Sequence, residues 1–371
     1  MFYLTFNDSP SGVYYSQVIE TVKYLNTLNQ EKVKLIAVIP VRNFNVNKKI
    51  LQSWFPGIRV LPLPIKLKYW KIYKIILRLI PGITKERIIA RGPLACSIAL
   101  MLNNEVIYDG RAAVSAELDE FPEMVLDKNL VVEIKNAERA AVLNSKFRIA
   151  VSHKLVDYWR EKFGYSKANH IVIPCLISDH NAINNIDVSR ECLGFNENDV
   201  VLIFSGGTGG WQSSELLMEF LEKQLSKENT KLLLLTKETT EFLNLKKQFN
   251  DKVVIKWVEP EEVSAYLKLG DYGILVRDQI ITNKVSSPVK FAEYLSAGLS
   301  VLITQNLGDY TELVVQNKLG FVLDDRELDV NLNRVENETK QNLSDFAKRE
   351  FHRNKFRSEF LSLFTNKKAE N

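Results

Sequence analysis

The sequence predicts an α/β protein built from two doubly wound, Rossmann-like domains that face each other across a cleft. Short apolar runs typical of buried parallel strands alternate with helical patterns, and this alternation occurs twice along the 371 residues. A chain of this length also exceeds the usual size of a single hydrophobic core. We place the N-terminal domain at 1–175, the second domain at 176–345, and a C-terminal helix and tail at 346–371.

Nine apolar runs have the length and composition of buried strands. In the first domain they occupy 2–6, 34–40, 105–109 and 148–152. In the second domain they occupy 200–206, 231–236, 253–258, 272–276 and 300–304. Ligands of such sheets bind beyond the carboxyl ends of the strands, so the loops that follow these runs are where we expect functional residues.

Two further segments describe how the domains are joined. The stretch 173–189 is rich in Asn, Asp and Ser, which is typical of a linker or of a long surface loop. Phe residues recur at near-helical spacing between 342 and 364 and predict one long amphipathic helix. That helix can pack back on the N-terminal domain.

Composition and charge argue against several classes of protein. The formal net charge of +4 is small for this length, so we expect no nucleic-acid partner. The three cysteines form no CxxC pair and the histidines have no metal-ligand spacing, so no metal site is expected. The N-terminus lacks a secretion signal and no apolar run reaches the ~18 residues of a membrane span, which predicts a cytoplasmic location.

The segment after the run at 272–276 has the features of a turn followed by a capped helix. Pro288 is placed to start the helix, Ser286 and Ser287 are suitable capping residues, and Gly298 is placed to end it. The first turn of a helix offers free N–H groups and the positive end of the helix dipole, which favour an anion.

Charged side chains on this helix strengthen the case for a ligand. Lys290 adds a positive charge one turn in, and Glu293 lies on the same face, where a carboxylate can accept hydrogen bonds from sugar hydroxyls. A second strand–turn–helix unit follows at Gly308 and Asp309 and offers further backbone donors. The alternative is an exposed Lys–Glu pair on an ordinary capped helix, which the neighbouring turn makes the weaker explanation.

These motifs resemble a known family. The stretch SSPVKFAEYLSAGLSVLITQNLGDYTELVVQNKLGFVL is similar to the donor-binding region of GT-B glycosyltransferases, especially the retaining family-4 type of bacterial surface polysaccharide synthesis. The resemblance runs from about 200 to 325 and continues more weakly through ARGPLACSIAL and YDGRAAVSAELDE in the first half. It implies transfer of a sugar, with retention, from a UDP- or GDP-sugar to a glycan or lipid-linked acceptor, without a cofactor.

The resemblance also implies roles for individual residues. Ser287 and Lys290 would meet the donor diphosphate, which makes Lys290 a catalytic residue. Glu293 would hold the ribose hydroxyls, and the turn at Val258 would lie against the nucleobase, partly through backbone atoms. Many family members carry a second Glu eight residues before the position of Glu293, but Val285 stands here.

Nearby polar residues are candidates to replace that missing carboxylate. Arg277 and Asp278 follow the strand run at 272–276 and are the nearest of them. Two alternatives therefore stay open: a nucleotide-sugar epimerase of the same fold, and a non-catalytic subunit that binds glycan or membrane.

A glycine-rich loop follows the first strand of the second domain, where relatives meet the donor phosphates. The sequence SGGTGGWQ matches neither the P-loop nor the dinucleotide fingerprint, since Gln212 stands at the third glycine position. We expect the backbone of Gly206 and Gly207 and the hydroxyl of Thr208 to bind phosphate, with the positive charge supplied by Lys290. The alternative is a flexible turn without a ligand.

The loops of the first domain carry the candidate acceptor site. Gly12 can bring backbone close to an acceptor. Asp109 can orient or deprotonate an acceptor hydroxyl, and Arg111 can bind a phosphate. The alternative is an internal Asp–Arg pair that braces the loop, and Arg91 in ARGPLA has the same two explanations.

One basic and aromatic segment, 66–80, has two equally supported interpretations. On a helical projection Lys71, Lys74 and Arg78 share one face, while the aromatic and aliphatic side chains lie mainly elsewhere. This pattern suits the anionic surface of a membrane, here the inner leaflet. It equally suits a helix packed on the N-terminal domain with its lysines outward.

Overall fold

The computed structural model describes the chain except for residues 31, 64–65, 103–104, 126, 179–187, 208–213, 325–326 and 366–371. The chain divides into two compact units, and the first is assembled from both ends of the sequence. It comprises Met1–Leu176 together with Arg353–Asn371, and the second unit comprises Ile177–His352.

The first unit contains a sheet of seven parallel strands in the order β3-β2-β1-β4-β5-β6-β7. Their bounds are β1 Phe2–Phe6, β2 Lys34–Pro40, β3 Arg59–Leu63, β4 Ile88–Arg91, β5 Val106–Gly110, β6 Phe147–Ala150 and β7 His170–Val172. The central strands are buried along their whole length because helices cover both faces. Arg91 at the end of β4 pairs in register with Asp109 near the end of β5.

The second unit contains a sheet of six parallel strands in the order β10-β9-β8-β11-β12-β13. Their bounds are β8 Val200–Ser205, β9 Thr230–Leu235, β10 Val253–Lys256, β11 Tyr272–Leu275, β12 Ser300–Thr304 and β13 Gly320–Leu323. In both sheets the strand order reverses beside the first strand of the unit, which is the doubly wound arrangement predicted from the sequence. The predicted fold class is confirmed.

The α-helices that cover the sheets follow the strands in alternation. Their bounds are α1 Gly12–Tyr14, α2 Glu20–Leu28, α3 Phe44–Trp54, α4 Tyr73–Arg78, α5 Pro93–Leu100, α6 Val114–Glu120, α7 Lys128–Asn144, α8 His153–Phe163, α9 Ser214–Leu225, α10 Thr240–Phe249, α11 Val263–Leu267, α12 Ile281–Lys284, α13 Val289–Ser296, α14 Tyr310–Asn317, α15 Asn337–Phe351 and α16 Arg357–Thr365. A π-helical turn, Tyr15–Ile19, joins α1 to α2.

The C-terminal segment differs from the single long helix expected there. It consists of α15, a 3₁₀ turn at Arg353–Phe356, and α16. Phe351 packs in the core of the second unit, whereas Phe360 and Leu363 pack in the core of the first. The near-helical spacing of the Phe residues therefore reflects two helices that pack in two different cores. The second unit ends at His352, and the first unit resumes at Arg353.

Candidate functional site

The carboxyl edge of the second sheet brings two predicted cations together. Arg277 follows β11 and is 7% exposed, while Lys290 is the second residue of α13. The backbone N–H of Arg277 donates to Oγ1 of Thr304 at 3.0 Å, which fixes the start of this loop to the end of β12. The two side chains are close enough for the positive charge of Arg277 to act on Lys290.

Burial is the main influence on the protonation of this pair. Burial and, to a smaller extent, the charge of Arg277 together lower the pKa of Lys290 from 10.5 to about 7, and Glu293 opposes the change. Burial likewise lowers the pKa of Arg277 to about 10. The pKa of Glu293 is raised by burial, with Lys290 acting in the opposite sense. In this pocket charge is unfavourable without a compensating ligand.

The glycine loop meets Lys290 at its first glycine. Gly206 has a φ of +113°, and a Cβ on this residue would lie 2.3 Å from Nζ of Lys290. Only glycine therefore lets the ammonium group lie against this backbone. The N–H of Gly206 donates to the carbonyl of Leu235 at 3.0 Å, so this amide is committed within the sheet. Gly207 is exposed, and Thr208 lies outside the described residues.

The two serines before α13 do not cap it. The N-cap is Pro288, which has no side-chain cap hydrogen bond. The Oγ of Ser286 donates to the carbonyl of Asn283 at 2.9 Å, and the hydroxyls of Ser287 and Tyr310 share a hydrogen bond of 2.7 Å. The expected capping role is wrong because both hydroxyls serve the tertiary contacts of the loop instead.

Gly308 allows the neighbouring turn to approach the same loop. Its φ is +51°, and a Cβ there would lie 2.0 Å from the carbonyl oxygen of Ser286. Its N–H points to the carbonyl of Asn283 at 3.3 Å. This glycine therefore holds two backbone segments together, and its own amide is not directed at a ligand.

Asn283 organises this loop, and sequence analysis did not identify it. It is 2% exposed, its Nδ2 donates to the carbonyl of Asp278 at 3.1 Å, and its Oδ1 accepts from Arg277 at 3.4 Å. One side chain thus orients the guanidinium group and closes the turn around it. Nothing in the local sequence distinguishes this asparagine from an ordinary helix-capping residue.

Tyr294 is a second residue that sequence analysis missed. Its hydroxyl accepts a hydrogen bond of 3.0 Å from the N–H of Ser205, at the start of the glycine loop. Its ring occupies the space beside Gly273, where a Cβ would lie 2.3 Å from ring carbons. The tyrosine therefore ties α13 to the ends of β8 and β11.

The remaining donor-side candidates lie at the same edge of the sheet. Val258 follows β10 and its side chain is buried in the core, so any contact it makes with a ligand must use its backbone. Glu293 is partly exposed on α13, one turn after Lys290. The side chain of Val285, where relatives carry a Glu, is also buried in the interior.

The first unit brings its own predicted residues together. Asp109 is fully buried, and Oδ1 lies 2.6 Å from Nε of Arg111 while Oδ2 lies 3.6 Å from Nη1 of Arg91. The hydroxyl of Tyr3 donates to the same Oδ2. The internal Asp–Arg pairing considered from the sequence is thus present, and Tyr3 is an additional member that sequence analysis did not identify.

Two more groups lie near this cluster. Burial raises the pKa of Asp8, Arg91 opposes that change, and Asp109 adds to it. The hydroxyl of Tyr14 shares a hydrogen bond of 3.0 Å with Oγ1 of Thr5. Gly12 is exposed at the start of α1 and a Cβ there would meet nothing within 4 Å, so no local contact requires glycine.

The segment 66–80 has features of both interpretations drawn from the sequence. Its described part is a 3₁₀ turn, Leu67–Ile72, followed by α4. One set of side chains is buried in the first unit, namely Trp70, Tyr73, Leu77 and Ile80. A second apolar set is exposed, namely Tyr69, Ile72, Ile75, Ile76 and Leu79. The basic side chains are exposed as well, and Lys71 pairs with Glu133 at 2.8 Å.

The described residues hold neither a metal-binding cluster nor a membrane-spanning helix. Within that part of the chain, no group of three or more His, Cys, Asp or Glu side chains is arranged to hold a metal ion. None of the helices described is both long and apolar enough to cross a membrane.

Comparison with known proteins identifies one matching family model and several similar structures. Residues 217–356 match the model of the glucosyltransferase 3-like C-terminal domain. Sucrose-phosphate synthase from Thermosynechococcus elongatus has a similar structure, with a TM-score of 0.70, 10% identity and coverage of 98% of each chain. HepE from Anabaena, solved with UDP-glucose, has a TM-score of 0.68, 14% identity and coverage of 99% of each chain.

A third similar structure is WaaG, a glycosyltransferase involved in lipopolysaccharide biosynthesis. Its TM-score is 0.62 at 13% identity, with coverage of 98% of this chain and 94% of WaaG. No curated protein sequence matches this chain significantly. The resemblance predicted from the sequence is confirmed: the chain has the GT-B glycosyltransferase fold, and its second half is similar to the C-terminal domain of glucosyltransferase 3-like proteins.

Proposed function

We propose that the protein is a nucleotide-sugar-dependent glycosyltransferase whose second unit binds the donor. The observation that carries the proposal is the cation pair of Arg277 and Lys290 at the carboxyl edge of the second sheet. Each has its pKa lowered by burial, so positive charge at this position is unfavourable without a compensating anion. A diphosphate placed there compensates both charges, whereas a neutral ligand does not.

The surrounding residues divide the recognition of the donor between them. Lys290 and the first turn of α13 meet the diphosphate, together with the backbone of Gly207. The amides of Gly206 and Gly308 are directed at backbone carbonyls, so these glycines contribute by close approach and not by donating to phosphate. Glu293, one turn further along α13, is placed to accept from the ribose hydroxyls.

The same charges promote the chemistry. When the bond between the sugar and the diphosphate breaks, negative charge develops on the departing diphosphate. Arg277 and Lys290 lie in a buried setting in which this charge is stabilised strongly, which is electrostatic catalysis. The acceptor hydroxyl then forms the new glycosidic bond, and its proton passes to the departing diphosphate. Retention of configuration is what the family resemblance implies for this step.

Calorimetric titration separates the proposed roles. UDP and GDP should bind the protein, and inorganic pyrophosphate should bind more weakly. Lys290→Met should weaken UDP and pyrophosphate alike by about tenfold or more, as expected for loss of a charged hydrogen bond. Glu293→Gln should weaken UDP and leave pyrophosphate unchanged, because only the nucleoside has ribose hydroxyls.

A matched control lies on the preceding helix. Lys284→Met removes an exposed lysine of α12 and should leave both titrations unchanged. Equal affinity for UDP in Lys290→Met and in the parent protein would contradict the donor assignment. Activity is then followed as release of UDP from UDP-sugars in the presence of candidate glycan acceptors.

We further propose that the exposed face of residues 66–80 contacts the anionic surface of a lipid bilayer. Leu79 is 81% exposed and Ile75 is 65% exposed, which is unusual for side chains of this size. Basic residues alternate with them along the same segment and are exposed too, so apolar insertion and attraction to anionic headgroups act together. The buried residues Trp70 and Tyr73 anchor the segment to the first unit.

Vesicle flotation tests this second proposal. The protein should float with vesicles of phosphatidylglycerol and phosphatidylcholine, and much less with phosphatidylcholine alone. Leu79→Asp should abolish flotation, since it removes an inserted side chain and adds repulsion. Val315→Asp, at a 65% exposed position of the second unit, should float like the parent protein. Undiminished flotation of Leu79→Asp would exclude this face as the contact.

A further inference from the structure

We propose that Arg91 and Arg111 form a second oxyanion site, in the first unit, that takes a phosphate or carboxylate group of the acceptor. The assignment to an acceptor rests on the proposed transferase function, because the donor is assigned to the second unit. The oxyanion site itself rests on the geometry of the first unit alone.

The topology of the sheet builds this site from adjacent strands. Arg91 ends β4 and Asp109 precedes the end of β5, and the two residues pair in register, so their side chains leave the sheet side by side. Arg111 follows β5 directly. Each guanidinium group engages a different oxygen of the one carboxylate, at 3.6 Å for Arg91 and 2.6 Å for Arg111. Two cations therefore converge on a single buried anion.

Each arginine retains a buried donor that this carboxylate does not satisfy. Nη1 of Arg91 and Nη1 of Arg111 are inaccessible to solvent and have no hydrogen-bond partner among the described residues. Buried N–H groups in native proteins are nearly always paired, and an unpaired donor on a charged group is especially costly. An oxyanion satisfies such donors with charge-assisted hydrogen bonds. Both arginine side chains are 14% exposed as a whole, so a ligand group meets their exposed atoms first and reaches these donors through a shift of the side chains.

The same contacts give Asp109 a role different from that of a general base. One oxygen faces Arg111, and the other accepts from the hydroxyl of Tyr3 and faces Arg91. A carboxylate held on both oxygens is poorly placed to remove a proton from an acceptor hydroxyl. We therefore treat Asp109 as a positioning residue that aligns the two guanidinium groups.

A second carboxyl, that of Asp8, lies in the neighbourhood of Arg91. Asp8 follows β1, the strand next to β4, and interacts electrostatically with Arg91. Burial and the charge of Asp109 raise the pKa of Asp8, which opposes its ionisation. An acceptor oxyanion at the arginines therefore competes with Asp109, which both arginines share, and less strongly with Asp8.

Thermal unfolding with inorganic phosphate tests the site after the donor pocket has been saturated with UDP. At constant ionic strength, phosphate should raise the midpoint of the parent protein, and acetate should do so less. Arg91→Gln and Arg111→Gln should each weaken the apparent affinity for phosphate by about tenfold or more. Arg160→Gln, an exposed arginine of the same unit, is the matched control and should respond like the parent.

A charge-retaining variant and a set of sugar ligands complete the test. Arg111→Lys retains a positive charge and should keep part of the phosphate response even if Arg111→Gln folds poorly. Glucose 6-phosphate, glucuronate and glucose then identify whether a phosphate or a carboxylate is preferred, with glucose the weakest of the three. A phosphate response that is absent in the UDP-saturated parent, or that survives in both Gln variants, overturns the proposal.

The outcome is separable from that of the proposed function. If UDP binds but phosphate has no effect, the donor assignment is supported and the oxyanion site is excluded. If UDP fails to bind while phosphate stabilises the parent and not Arg111→Gln, the oxyanion site is supported and the transferase assignment is excluded.

Discussion

Replacing Lys290 by Met should stabilise the ligand-free protein at neutral and acidic pH. The side chain keeps its length and apolar stem but loses the charged Nζ, which lies 5.0 Å from the centroid of the Phe204 ring. Burial and Arg277 lower the pKa of Lys290 from 10.5 to about 7, so protonating this amine opposes folding. The variant has no amine to protonate, so this free-energy cost is absent from its folding.

The direction of the pH dependence follows from proton linkage. Because the pKa of Lys290 is lower in the folded protein than in the unfolded chain, unfolding takes up a proton between about 7 and 10.5. The parent protein therefore gains stability as the pH rises through this interval, and the penalty is complete below pH 7. A shift of this size sets an upper limit of about 5 kcal/mol. Glu293 loses its attraction to the ammonium in the variant, which offsets part of the gain.

Differential scanning calorimetry across this pH interval measures the effect. We expect the midpoint of Lys290→Met to exceed that of the parent at the acidic end, by about 2–4 °C for each kcal/mol, and the two to converge at the alkaline end. Saturating UDP should reverse the order, because the diphosphate compensates the charge of the parent. A variant destabilised by the same amount at every pH would refute the argument that the ammonium is desolvated. Lys284→Met, which removes an exposed lysine, should leave the unfolding midpoint close to that of the parent at every pH.

Two further predictions concern the architecture of the second unit. Gly308→Ala should weaken UDP binding and destabilise the unit by about 1–3 kcal/mol, since a Cβ would lie 2.0 Å from the carbonyl oxygen of Ser286; titration and chemical denaturation measure the two effects. Asp271→Ala should cost about 3–5 kcal/mol in the free energy of unfolding, because this fully buried carboxylate pairs with Arg190 at 2.9 Å and Lys340 at 3.2 Å.

Each of these predictions has a matched control. Gly194 also has a left-handed backbone, with a φ of +74°, but a Cβ there meets nothing within 4 Å. Gly194→Ala should therefore show the backbone strain without the loss of UDP affinity, and equal affinity losses in both variants would count against the clash. Asp345 pairs with Lys348 at 3.5 Å with both side chains exposed, and Asp345→Asn should change the free energy of unfolding little. A similarly small change for Asp271→Ala would show that its buried ion pairs do not stabilise the fold.

Most of the strands that the sequence predicted correctly are buried on both faces, and the partly exposed edge strand β10 is an exception. Continuous apolar runs such as those of β1 and β8 can be recognised without any knowledge of their neighbours. Sequence analysis missed β3, β4, β7 and β13. Three of these lie at the edges of their sheets, where burial is incomplete and the apolar run is interrupted. The fourth, β4, is central but only four residues long.

The residues of the candidate site that could be predicted are those whose role is visible in the neighbouring sequence. The helix α13 carries Lys290 and Glu293 at positions that the sequence makes visible through the preceding turn and the following glycine. Asn283 and Tyr294 were missed because their importance comes from hydrogen bonds to residues distant in sequence or to turns that form only on folding. The Tyr294 hydroxyl on α13 accepts from the backbone of β8, and such a long-range contact produces no pattern in the neighbouring sequence.

The assembly of the first unit from both ends of the sequence determines when its core can be completed on the ribosome. Phe360 and Leu363 complete a core that otherwise comes from residues before 177, and Arg353 pairs with Glu20 at 2.9 Å inside the same unit. Translation must therefore pass through the whole second unit before the first can close. During that interval the second unit is free to fold first, which reverses the N-terminal-first order usual for nascent chains.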